Sequence, residues 1–128
     1  MNYIRVAWRR LAASVRYQRL IRRQQVWAYS SGDEVKVIAY SLRHVIEIAN
    51  RAGVPCVITC LAPGTIVLDA PLPALTVPCN IFGNGTIIDD QRGGFGGLVM
   101  ASGLVDSFVF IGKRGAGKTG FTFRGPHN

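Results

Sequence analysis

The chain reads as a mainly β protein: a solenoid of short coils behind one helix, preceded by a basic amphipathic helix. Three observations predict this. Short β-branched runs at 57–61, 65–68, 75–79, 81–82 and 86–88 are separated by turn residues: Pro63-Gly64, Pro71, Pro73, Pro78, Asn80 and Asn84-Gly85. Immediately before them, residues 41–50 carry a helical pattern. Further upstream, residues 1–32 contain arginines and no Asp, Glu or Lys.

In the helical stretch, Leu42, Val45, Ile46 and Ile48 share one broad face. Arg43, His44, Glu47 and Asn50 fall mostly on the other, and Gly53 with Pro55 ends the helix. The coils that follow are marked by Pro63-Gly64-Thr65-Ile66, Leu68, Pro71-Leu72-Pro73, Leu75, Ile81 and Gly83-Asn84-Gly85-Thr86-Ile87-Ile88-Asp89.

Together with Ser41-Leu42-Arg43 and Ala49-Asn50, this series resembles the first coils of right-handed parallel β-helix proteins of the pectate-lyase-like superfamily. There, an N-terminal helix caps the open end of the β-helix. The resemblance spans residues 41–90. It implies a short right-handed parallel β-helix of about three coils, with residues 41–51 as the cap. It speaks to fold more than to function, because that scaffold hosts lyases, hydrolases, adhesins and viral spikes. Short segments of this kind resemble the base or neck of trimeric phage tailspikes and head fibres.

The chain has 128 residues and a formal net charge of +8, unevenly spread. Seven of the 15 basic residues lie in residues 1–32, and all seven acids lie in residues 33–128. The expected organisation is a basic arm over 1–32 and a small, nearly neutral β body over 33–128. An apolar fraction of 48% fits a buried core.

The arm reads as one helix over residues 3–27. Ile4, Ala7, Trp8, Leu11, Ala12 and Val15 form one face, with Arg5, Arg9, Arg16 and Arg23 along an adjacent stripe. Tyr17, Leu20 and Ile21 lie on a different face. The expected anchoring residues are Arg5, Trp8, Arg9, Leu11, Arg16 and Arg23, against capsid or tail proteins, nucleic acid or an anionic membrane surface. Mitochondrial targeting peptides share this pattern. Residues 28–35 read as a polar hinge, and residues 35–38 as a first short strand.

Three cysteines are present. Cys56 and Cys60 share a strand face about 13 Å apart at roughly 3.3 Å per residue, which excludes a disulfide between them. Cys79 is placed to stack over either. All three read as small core residues in a reducing environment. No metal spacing and no cofactor are expected. Neither a membrane-spanning run nor a secretion signal is legible.

The segment Gly112-Lys113-Arg114-Gly115-Ala116-Gly117-Lys118-Thr119 matches the P-loop pattern letter for letter. In a working P-loop, Gly112 and Gly117 would shape the turn, Lys118 would reach the phosphates and Thr119 would bind Mg²⁺. That chemistry requires a helix to open at Thr119. The following Gly-Phe-Thr-Phe-Arg-Gly-Pro-His-Asn instead predicts a strand near 119–123. Upstream, Gln91-Arg92-Gly93-Gly94-Phe95-Gly96-Gly97 reads as a loop whose Arg and Phe could stack on bases. Residues 98–101 and 107–111 read as strands of the next coil.

Asp69, Asp89, Asp90 and Asp106 are expected in turn or surface roles, with no catalytic set among them. The expected function is a non-enzymatic virion structural protein: a spike, fibre or adaptor, made in the host cytoplasm. Its β-helical body would form a homotrimer, because about three coils without an evident C-terminal cap are marginal alone. The rivals are a nucleotide-binding protein using 112–119 and a carbohydrate-active β-helix fragment.

Overall fold

The computed structural model describes residues 25–124. These residues are mainly β: seven strands form one mixed sheet, and one helix packs on it. Strands β1 (Val26–Ser31) and β2 (Glu34–Ala39) form an antiparallel hairpin. It turns at Gly32-Asp33, where Gly32 takes φ of 70°, a conformation that favours glycine. This corrects the end of the helix expected over 3–27, whose residues before Gln25 lie outside the described residues, and the polar hinge expected at 28–35. Trp27, Ala28 and Tyr29 are all buried. The aromatic and β-branched character of that run suits a pleated, covered strand better than a helix. The strand expected at 35–38 is present as β2.

Helix α1 (Leu42–Ala52) follows its sequence signals closely. The Ser41 Oγ accepts the His44 N–H at 3.0 Å, a cap that contributes about 1 kcal/mol. Gly53 ends the helix in the left-handed region, its N–H bonded to the Ala49 carbonyl. Leu42, Val45, Ile46 and Ala49 are buried on the inner face. On the outer side, Asn50 donates to the Ala74 carbonyl (2.7 Å) and accepts the Thr76 N–H (2.9 Å). Arg43 donates to the carbonyls of Pro71 and Ala70. The helix therefore covers the core with one face and fastens the 70–76 segment with the other.

The remaining strands are β3 (Cys56–Ala62), β4 (Thr65–Val67), β5 (Leu75–Asp90), β6 (Leu98–Gly112) and β7 (Phe121–Phe123). The sheet order is β2-β1-β3-β5-β6-β7, with β4 also on β5. The β1–β3 pairing is antiparallel, and every pairing from β3 onward is parallel. Parallel partners stand 22 to 25 residues apart and fall into three ladders. Cys56 pairs with Cys79 and Cys79 with Gly103. Thr65 pairs with Ile87 and Ile87 with Val109. Leu75 pairs with Met100 and Met100 with Phe123.

The separate short strands expected at 75–79, 81–82 and 86–88 are one bent strand of 16 residues, and those at 98–101 and 107–111 are one of 15. The turn residues bend these strands without ending them. Asn84 and Gly85 both take positive φ where the β5–β6 register shifts, and Ser107 does so on β6. Pro78 marks the other shift, at a position where β3 has no paired residue.

The core lies between α1 and the stacked strands, with Trp27, Ile46, Ile58, Ile81 and Ile88 fully buried. Each such aliphatic side chain contributes roughly 1.5–3 kcal/mol on burial. Trp27 stacks on Phe108 at 6.0 Å between ring centroids, and Phe108 meets Phe121 at 5.9 Å. Gly83 makes room for this column, since a Cβ there would lie 2.7 Å from the Phe108 ring.

Candidate functional site: a glycine-rich basic corner

Two loops stack at the corner where β5 and β6 end. The first, residues 91–97, joins β5 to β6, and the second, residues 113–120, joins β6 to β7. They touch backbone to backbone: the N–H groups of Gly97 and Leu98 donate to the carbonyls of Thr119 and Gly120. A Cβ on Gly97 would lie 2.0 Å from the Gly120 oxygen, so only glycine permits this approach. Gly94 sits against Ala116 and the Lys113 side chain.

Asp90 holds the first loop from below. It is fully buried, and its two carboxylate oxygens accept the N–H groups of Phe95 (2.9 Å) and Gly96 (2.7 Å). Its backbone carbonyl accepts the Gly94 N–H. The turn or surface role expected for Asp90 is therefore corrected to a buried clamp. A loop rich in glycine demands some such anchor, because its backbone loses much entropy on ordering. The signal in the sequence was the acid immediately before the glycine run. Asp89, one residue earlier, caps the N–H of Gln91.

The upper surface of the corner is cationic. Arg92, Lys113, Arg114 and Lys118 are exposed, and neither loop contains an acid. Among the described residues the one ion pair within 4.0 Å is Lys36–Glu34, far along the chain. Beside this surface lies a hollow of about 330 Å³, lined by Val67, Leu68, Asp69, Arg92, Gly93 and Phe95. The Phe95 ring lies over Gly93, where any Cβ would meet it at 1.9 Å, and the residue stays 37% exposed.

The P-loop-like residues occupy the second loop. Gly112 ends β6; Gly115 and Gly117 take positive φ, and Lys118 and Thr119 are exposed. Strand β7 follows, where a phosphate-cradling helix would have to begin. The expected anchoring residues Arg5, Trp8, Arg9, Leu11, Arg16 and Arg23 lie outside the described residues.

A second cleft, of about 270 Å³, opens between α1 and β4 and includes Gln25, Ser41, Arg43 and Asp69. Some of its polar groups are engaged. The Gln25 Oε1 accepts the Trp27 Nε1–H, and the Arg43 guanidinium is committed to two carbonyls. The Gln25 Nε2 is buried with no hydrogen-bond partner among the described residues.

The three cysteines are buried free thiols. Cys56 and Cys79 are register partners on β3 and β5, as the expected stacking of Cys79 allows. Their mutual hydrogen bond and burial push the Cys79 thiol far up, keeping it protonated. Cys60 accepts from the Thr86 hydroxyl at 3.4 Å. No group of three or more His, Cys, Asp or Glu among the described residues is arranged to hold a metal ion. No described helix is long and apolar enough to cross a membrane. No family model matches the chain, and neither a curated protein nor a solved structure shows significant similarity to it.

Proposed function

We propose that the chain is a non-enzymatic structural protein of a virion, of the spike, fibre or adaptor type. Its body is the helix-capped start of a right-handed parallel β-helix, and association completes it. One observation carries this reading: the parallel strands carry α1 and the β1–β2 hairpin on one side, while β6 on the other side presents a long, largely unpaired outer edge. On the first side, α1 buries Leu42, Val45 and Ile46. On the other side, among the described residues, the outer edge of β6 is paired only over Leu98–Met100, by the short β7. Leu104, Val109 and Ile111 of β6 are each more than a third exposed. An unpaired strand edge with exposed apolar residues is a template for another chain. The repeat of 22 to 25 residues in three ladders supports coils of a β-helix. The acid-free amphipathic pattern of residues 1–24 supports an anchoring arm on the particle.

Sedimentation velocity on the full chain tests the reading. The expected species is a trimer that is independent of added ATP. Leu104→Lys with Val109→Lys is expected to shift it to monomer. A monomer at all concentrations, or assembly indifferent to both lysines, would remove the structural reading.

A further inference from the structure

We propose that the glycine-rich corner binds single-stranded nucleic acid, with a base in the Phe95 hollow and backbone phosphates on the adjoining cations. This goes beyond the structural role and does not depend on it.

The chemistry divides cleanly between the two parts of the corner. The hollow offers the exposed Phe95 ring, the aliphatic Val67 and the Asp69 carboxylate. A planar ring can stack on Phe95 there. Asp69 accepts hydrogen bonds from a base N–H and repels phosphate, which directs the strand's charge away from the hollow. The neighbouring loop supplies what the phosphates need: Lys113, Arg114 and Lys118 are exposed with no acid in their segment, and Gly115 and Gly117 keep the turn open. Arg92 lines the hollow next to Phe95 and joins its two parts.

The site is also rigid where it needs to be. Asp90 fixes the N–H groups of Phe95 and Gly96, and the missing Cβ of Gly93 leaves the space the Phe95 ring occupies. Phe95 is thus held as a platform before any ligand arrives, which lowers the ordering cost of binding. Duplex nucleic acid keeps its bases stacked inside, so a single aromatic platform selects single strands.

The test is fluorescence anisotropy of a short labelled oligothymidylate with the full chain. Four versions are compared: wild type, Phe95→Ala, the triple Lys113→Gln, Arg114→Gln, Lys118→Gln, and Arg5→Gln, Arg9→Gln, Arg16→Gln, Arg23→Gln together. Unlabelled inorganic polyphosphate and a matching duplex serve as competitors, and thermal melts verify folding. The triple variant is expected to bind at least tenfold more weakly, with a log–log salt slope shallower by about 2. Phe95→Ala is expected to cost about 5-fold or more with the salt slope unchanged. It should leave polyphosphate affinity as in wild type. The four arm substitutions should preserve the Phe95 effect. If the triple variant binds like wild type, or the arm variant loses all binding, the corner is not the site. If charge removal matters and Phe95→Ala changes nothing, or duplex competes as well as single strand, the surface is a general polyanion patch and the proposal fails.

Discussion

The two ends of the strand stack solve the same problem differently. At the capped end, where α1 packs on β1, β2 and β5, Trp27, Ile58 and the helix residues Val45 and Ile46 are completely buried. At the far end, Leu104 and Val109 are about half exposed and Phe110 and Phe121 are only partly covered, while Phe108 reaches back to stack on Trp27. The capped end relies on side-chain burial and a few well-placed side-chain bonds from α1. The far end relies on backbone bonds between loops and on glycines that permit close approach. A cavity or a charge should therefore be costly at the first end, and an added Cβ should be costly toward the second.

The largest effect is expected at the capped end. Trp27→Ala removes a fully buried ring, its stack on Phe108 and the bond to Gln25. It should lower unfolding free energy by about 3–5 kcal/mol in urea titrations. A loss below about 1 kcal/mol would mean that α1 and β1 do not form the main core.

Next comes the backbone junction of β5 and β6. Gly103 takes φ of 124°, and a Cβ there would lie 1.7 Å from the Cys79 carbonyl oxygen. Gly103→Ala must move β6 away from β5 or distort it. Strain of this kind costs on the order of 1–3 kcal/mol. Amide exchange should speed up around Leu104 and Val105 before it does in α1. Uniform acceleration across the chain would contradict the division between the ends.

Much of the capped end was legible in the sequence, and the reasons are local. Ser41, the helical spacing of Leu42, Val45 and Ile46, and Gly53 each act within a few residues, so their pattern specifies α1 directly. The alternating burial of Cys56, Ile58 and Cys60 also follows from strand periodicity. Two features were hidden. Val26–Ser31 becomes a strand because β2 and β3 flank it, a choice made by tertiary pairing. The breaks at Pro78 and Asn84-Gly85 looked like strand ends, yet they are bends, because the parallel neighbour continues the ladder beyond them. The corner was only half visible. Its glycines and cations could be listed from sequence, but the stacking of 91–97 on 113–120 and the clamp by Asp90 arise from the 22-residue offset of Asp90 and Gly112.

Asp90→Asn sharpens the comparison at the corner itself. The carboxylate accepts two backbone N–H groups inside the protein. An amide of the same size presents an N–H₂ to one of them and loses the charge assistance. Hydrogen bonds to a charged group contribute about 1.5–3 kcal/mol, so a loss within that range is expected. The Phe95 and Gly96 amides should exchange faster, while α1 amides keep their protection relative to global unfolding. Equal protection of the loop amides in the variant would show that Asp90 is not what orders the loop.

The smallest effect on stability should come from the site with the largest proposed effect on assembly. Val109 is 49% exposed on β6, and its parallel partner Ile87 stands on one side only. In the isolated chain, Val109→Lys removes little buried area, and the lysine stem can lie along the surface with its charge in water. The expected change in unfolding free energy, measured under conditions where the chain is monomeric, is within about 0.5 kcal/mol. Under conditions of assembly the same lysine would be forced into a strand–strand contact, where an unpaired charge costs several kcal/mol. A variant as stable as wild type when monomeric but unable to assemble would separate the open edge from the core. If Val109→Lys instead destabilised the monomer as strongly as Trp27→Ala, the outer part of β6 at Val109 would belong to the core that Leu98 and Met100 already share with α1, and the distinction between the two ends would disappear.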